Sequence, residues 1–331
     1  MHRGDFAAAW RVSDFVLRER LRRGVDCSHW PRHLQFVWTG APLAGKRVLV
    51  RCYHGLGDTI QFIRLAEPLR CLAKHITVWA QPELIELLAT VRGVDRVLPL
   101  HDGAPAADYD VDIEIMELAH ALRMTPATLP CAVPYLAVPA AAARHDKRTG
   151  ALRVGIVWQA GDWDPARSIP IEALAPIAFQ PGVELFSLQC GAARQRAIDI
   201  GATDISTENV AETARRLQAL DLIICVDTML AHLSGALGLN IWTLLKADCD
   251  WRWMRSGERS LWYLTMQLVR QREAGRWDSV IESVCRRLTA LQPAELSAGA
   301  SAPSRERAAR LRDAGAESRR TGAMVGRPRL T

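Results

Sequence analysis

No Cys-x-x-Cys pair occurs among the eight cysteines, which lie at 27, 52, 71, 131, 190, 225, 249 and 285. That scatter argues against a disulfide framework or a zinc site, and for reduced thiols in a cytosol. No apolar stretch is long enough to span a bilayer, and the N-terminus lacks the apolar core of a signal sequence. Repeats at solenoid periods are absent too. A basic groove for nucleic acid is also missing. The net charge is +6, but residues 301–331 hold eight Arg against three acids and so contribute +5 of it. The first 300 residues are nearly neutral, which makes basicity a property of the tail.

What is present is the composition of a soluble globular protein, in 331 residues, enough for two domains with their own cores. Residues 5–22 read as an amphipathic helix with Phe6, Trp10, Phe15 and Leu17 or Leu21 near one face. Gly40 to Arg47 nearly spells a phosphate loop. It lacks the Ser or Thr after Lys46 and precedes a strand, so it reads as a turn. From Val48 onward short apolar runs alternate with helical patterns. Strands are expected at 48–52, 76–80, 97–98 and 111–115, with helices after Asp58, at 83–90 and at 117–122. Pro126, Pro130, Pro134 and Pro139, then a polar Ala-rich stretch from Ala140 to Gly150, mark a boundary. The alternation then restarts. Strands are expected at 153–158, 183–189, 203–205, 222–226 and 241–245, with helices at 171–178, 192–198, 210–219 and 230–237. A final helix follows at 277–291. Such alternation predicts an α/β chain of two doubly wound, Rossmann-like sheets whose carboxyl edges face a cleft. The expected parts are a helical segment 1–36, a first Rossmann-like domain 37–145, a second Rossmann-like domain 150–291 and a disordered basic tail 292–331.

Two strand–turn–helix stretches face that cleft. The first is Tyr53-His-Gly-Leu-Gly-Asp58-Thr-Ile-Gln61. Its Gly-x-Gly lacks the third Gly of a dinucleotide fingerprint, and the next strand ends at Gln81 where a ribose-binding acid would stand. The second is Cys225-Val-Asp227-Thr-Met-Leu-Ala-His232, where a helix N-terminus at a sheet edge can hold a diphosphate. At either turn the aspartate can equally be a simple helix cap. Beyond the second, Asp250-Trp-Arg-Trp253 sets aromatics beside a cation, a combination that can pack, stack on a base or hold a sugar.

Taken in order, these motifs resemble the heptosyltransferase-type glycosyltransferases of family nine, and the catalytic segment that often follows tetratricopeptide repeats. The resemblance is carried by Gly45-Lys-Arg-Val-Leu-Val, Gly55-Leu-Gly-Asp-Thr-Ile-Gln-Phe-Ile-Arg64, Val154-Gly-Ile-Val-Trp158 and Arg167-Ser-Ile-Pro170. It continues through Phe186-Ser-Leu-Gln189, Val226 to Ala236 and Asp250 to Trp253, from about Arg32 to Leu291. It implies a GT-B fold and an inverting, metal-independent transfer without a cofactor. A nucleotide-diphospho-sugar, ADP-heptose foremost, would be co-substrate, and a lipopolysaccharide-like or other glycan, lipid-linked or protein acceptor would receive the sugar. It also implies Asp58 as the base. Trp158, Arg167, Gln189, Asp227, Thr228, Met229, Ala231 and His232 would lie at the donor, and His54, Gly55, Gly57 and Gln61 at the acceptor. Met229 replaces a family Gly, and Ser260-Leu-Trp-Tyr-Leu264 lacks the family's two Pro. Domain closure is expected to bring the two turns together.

Two other readings compete. A dinucleotide oxidoreductase needs the missing Gly and ribose acid. A non-catalytic relative that binds a sugar or a partner accommodates the altered 260–264 block. Asp162-Trp-Asp164 and Asp248-Cys-Asp250 imitate a metal-binding D-x-D, but no metal site is expected, because a helix dipole with Arg167 can neutralise a diphosphate. The tail reads first as a passive solvated end, though its Arg could loosely favour an anionic membrane surface; the chain is expected in the cytoplasm or peripheral to the inner membrane.

Overall fold

The computed structural model describes residues 1–138 and 150–291. Of the boundary expected at 140–150 only Gly150 is among the described residues, and the expected tail from 292 lies outside them.

The chain opens with α1 (Phe6–Arg23), capped by the Asp5 carboxylate, which accepts from the Ala8 N–H, and closed by Gly24 at a positive φ. It buries Phe6, Trp10 and Leu17, whereas Phe15 and Leu21 are exposed, contrary to the expected face. Its anchors are Trp10, whose indole N–H donates to the Met124 carbonyl at 2.6 Å, and Asp14, which accepts from His120 and Arg123. Those contacts rotate the helix so that Trp10 and Leu17 face inward and Phe15 faces solvent.

Then come β1 (Arg47–Arg51), α2 (Leu56–Phe62), α3 (Ala66–Arg70), β2 (His75–Ala80), α4 (Ile85–Leu88), β3 (Arg96–Pro99), β4 (Val111–Glu114) and α5 (Leu118–Ala121). The four strands form one parallel sheet in the order β3-β2-β1-β4. The apolar residues of β1 and β2 are buried, as expected of strands covered on both faces.

The second half holds β5 (Leu152–Val157), α6 (Ala175–Ala178), β6 (Val183–Ser187), β7 (Thr203–Asp204), α7 (Val210–Leu217), β8 (Leu222–Val226), α8 (Met229–Ala236), β9 (Ile241–Leu245), β10 (Met266–Arg270) and α9 (Asp278–Leu291). Its six strands run parallel in the order β10-β9-β8-β5-β6-β7. The helix expected at 192–198 is a 3-10 helix, Gly191–Ile200. Strand β10 was not expected from the sequence. It extends the sheet beyond β9.

In each sheet the order reverses beside the half's first strand, at β1/β4 and at β5/β8. Open α/β sheets bind ligands at such reversal points, beyond the carboxyl ends of the strands. The two singled-out turns follow β1 and β8, and so sit at these places.

The halves are already packed together. One contiguous apolar cluster contains Val48, Ile60, Phe62 and Leu65 from the first half and Leu230, Leu233, Trp262 and Tyr263 from the second. A second cluster fills the far face of the larger sheet. Buried Arg64 reinforces the junction: it donates to the carbonyls of Gln61, Pro130 and Trp262 and to the Tyr135 hydroxyl. The two turns therefore meet in this structure.

Candidate active site

The turn after β1 is braced from below by Glu114, a buried carboxylate at the end of β4. It accepts from the N–H groups of Tyr53 and Met116 and bonds the His54 ring at 2.9 Å. That bond raises the His54 imidazole above its ordinary value. Helix α2 starts at Leu56, earlier than expected, with Gly55 as its N-cap. Asp58 is thus not the N-cap but the third helical residue, and its Oδ2 accepts from the Gly55 N–H at 3.2 Å. Its other oxygen, Oδ1, accepts from Arg252 at 2.5 Å.

Opposite lies the turn after β8. Thr228, not Asp227, is the N-cap of α8, and it makes no side-chain capping bond. The Ala231 N–H turns back to the Thr228 carbonyl at 3.1 Å, which leaves the N–H groups of Met229 and Leu230 at the helix start for an anion. Asp227 is held above the ordinary carboxylate range by burial, against the pull of Arg167. Arg167 donates to the Asp227 carbonyl at 2.8 Å, and its guanidinium lies 4.7 Å from the ring of Trp163, which is 80% exposed. His232 is buried one turn into α8, bonds the Tyr263 hydroxyl through Nδ1 at 3.0 Å and stacks on Trp253. Burial pushes its pKa well below the ordinary histidine value, so the ring is neutral.

Gly57 sets the distance between the walls. A Cβ there would come within 3.0 Å of His232 Cδ2 and 3.3 Å of the Met229 Cα. The absence of a side chain lets α2 lie against α8, so the two turns share one cavity.

That cavity measures about 570 Å³. Gly55, Gly57, Asp58, Arg167, Gln189, Asp227, Thr228, Met229 and His232 line it, together with Gln159, Trp163, Cys190, Asp250 and Arg252. Four expected site residues do not. Trp158 is buried in the far core and borders a different recess. Ala231 is fully buried within α8. Gln61 is buried and accepts from Arg252 Nε at 2.8 Å. His54 is turned toward Glu114. Gln189 reaches the wall, yet its amide is engaged with the backbone N–H groups of Trp158 and Gln159.

Both D-x-D look-alikes give a carboxylate to a cation. Asp164 pairs with Lys246 at 2.9 Å and Asp250 with Arg252 at 2.9 Å. Among the described residues no group of three or more His, Cys, Asp or Glu gathers as a metal set would. All eight cysteines are free thiols. Among the described residues no helix is long and apolar enough to cross a membrane.

Sequence reasoning missed Arg252 as a partner of Asp58, because 194 residues separate them. It also missed Glu114 and Tyr263, each of which acts by holding a site residue rather than by belonging to a motif.

No protein-family model matches the chain. Protein FlbA of Caulobacter vibrioides is 23% identical over 285 residues, which cover 75% of this chain and 47% of FlbA. The chain thus spans about half the length of that curated relative. Among solved structures, the glycosyl transferase family 9 protein from Veillonella parvula matches with a TM-score of 0.53 at 11% identity, over 77% of this chain and 92% of that one. The E. coli ADP-heptose LPS heptosyltransferase II matches at 0.52 and 15% identity, over 74% and 98%. This chain has the heptosyltransferase-type GT-B fold. E. coli heptosyltransferase WaaC with ADP agrees, at a TM-score of 0.50 and 14% identity over 74% of this chain and 99% of its own. In this GT-B frame the Asp58 turn belongs to the first half and the 227–232 turn to the second, with the cavity between them.

Proposed function

We propose that the protein is an inverting, metal-independent glycosyltransferase. The observation that carries this is the shared cavity, which presents a carboxylate on one wall and a helix N-terminus with Arg167 on the other. Asp58 takes the proton of an acceptor hydroxyl. The oxygen attacks the anomeric carbon, the bond to the diphosphate breaks, and the leaving charge is met by the α8 N–H groups and Arg167. Thr228 and neutral His232 can donate to the same phosphates.

A heptose carried on ADP is the donor this reading favours, because structures of this fold include an ADP-heptose transferase and one with ADP. The acceptor is proposed as a lipopolysaccharide-like or other glycan, or a protein hydroxyl. The cytoplasmic face of an inner membrane, reached through the basic tail, is the proposed place of action.

A second reading has its own support. Both oxygens of Asp58 already accept hydrogen bonds, one from Gly55 and one from Arg252, as they would in a relative that only binds. Isothermal titration against a panel of nucleotide-diphospho-sugars, followed by mass detection of product, separates the two. A transferase binds one donor and modifies an acceptor. A binding protein shows affinity and no product, and abolition of turnover by EDTA would remove metal independence.

A further inference from the structure

Arg252 lies in the 3-10 turn Trp251–Trp253 of the second half, yet its guanidinium reaches the first. Nη2 donates to Asp58 Oδ1 at 2.5 Å, Nε to Gln61 Oε1 at 2.8 Å and Nη1 to Asp250 Oδ1 at 2.9 Å. Its side chain is 12% exposed and its guanidinium lies 5.5 Å from the Phe62 ring and 5.2 Å from the Trp251 ring. The backbone is pinned as well. The Arg252 N–H donates to Asp250 at 2.9 Å, and the Arg252 carbonyl accepts from the Trp262 indole at 2.9 Å.

The neighbouring Arg64 shows what a plain staple between the halves looks like. Its partners are carbonyls and a hydroxyl, and it does not line the cavity. Arg252 lines the cavity and holds two carboxylates. A carboxylate oxygen offers two lone-pair directions. With Oδ1 on Arg252 and Oδ2 on the Gly55 N–H, the plane of Asp58 is fixed by one bond from each half. One direction on each oxygen remains for an acceptor hydroxyl.

We propose that Arg252 is a positioning residue for Asp58: a guanidinium from the second half that aims the carboxylate of the first. The carboxylate then comes into line when the segment carrying Trp251–Trp253 is seated on α2. This rests on the reading of Asp58 as the transferase's base. A planar fork is needed to serve three acceptors at once, so Lys cannot replace it.

The test measures kcat and nucleotide affinity for Arg252→Ala and Arg252→Lys, each also in an Asp58→Asn background, on protein shown to be folded by circular dichroism. Arg252→Ala should lower kcat about 10²-fold, the scale of a misplaced reacting group, with the Kd for ADP within about twofold. Guanidinium chloride at sub-denaturing concentration should recover part of that loss, and Arg252→Lys should recover little. In the Asp58→Asn background the same truncation should change turnover less than about threefold, because the two residues act as a unit. A staple alone predicts equal losses in both backgrounds and no rescue by guanidinium, and either result overturns the proposal. Wild-type protein inert toward every donor and acceptor offered would overturn the transferase reading itself. An active wild type with an unimpaired Arg252→Ala variant overturns only the positioning role.

Discussion

The turns after β1 and β8 share one plan, strand, short turn, helix, but their electrostatics are opposite in kind. Asp58 is about a quarter exposed and paired with a guanidinium. Asp227 is almost enclosed, its carboxyl is raised by burial, and Arg167 bonds its backbone carbonyl at 2.8 Å, not its side chain. On the first wall a charge is kept in place by a cation. On the second, helix N–H groups and a neutral imidazole leave room for a negative ligand to bring the charge. The same local fold therefore carries two charge patterns: the first turn's carboxylate meets a cation from the other half, and the second turn's is enclosed within its own half.

The largest stability difference should fall on the glycines of α2 and α8. A Cβ on Gly235 would lie 2.5 Å from the Tyr263 ring, which is fully buried and holds His232. Gly235→Ala should cost about 1–3 kcal/mol by calorimetry. At Gly57 the nearest atom is 3.0 Å away, on a side chain, so Gly57→Ala should cost less, under about 1 kcal/mol. Equal losses would mean that the two helices are not packed differently.

Next come two pH effects of opposite sign. Burial lowers His232, so the unfolded chain takes its proton near 6.5 while the folded chain does not. Stability should fall as pH drops below that value, by at most about 1.4 kcal/mol per unit, and His232→Gln should flatten the slope. A raised Asp227 binds its proton more tightly folded than unfolded. Its ionisation costs stability as pH rises above the unfolded value of 3.8, so Asp227→Asn should melt no lower than wild type at pH 8. A lower melting temperature there would show that the charge is already compensated. The smallest effect belongs to Trp163→Ala on the exposed rim, within about 0.5 kcal/mol. A larger loss would mean that the ring packs.

The sequence made the strands near 222–226 and 241–245 plain, because parallel strands buried on both faces are continuous apolar runs. It made the two turns plain because each joins such a run to helical spacing. It misplaced the start of α2, since Gly55 caps a helix whose first turn contains a second glycine, Gly57. Strand β10 escaped because it is short and its apolar residues are interrupted by Gln267 and ended by Arg270. Phe15 looked inward by spacing alone, and long-range bonds from Trp10 and Asp14 turned it out. Trp158 looked like a donor contact because it ends a motif, whereas its ring belongs to the core beneath. Site residues recruited across 191 or 194 positions, as Arg252 is by Gln61 and Asp58, leave no local trace.

The central claim is that proton removal belongs to the first turn and donor binding to the second. Turnover and donor affinity measured side by side on folded Asp58→Asn test it most directly. The account predicts turnover lowered by roughly 10²- to 10⁴-fold with donor Kd little changed. Near-wild-type turnover in that variant would contradict it.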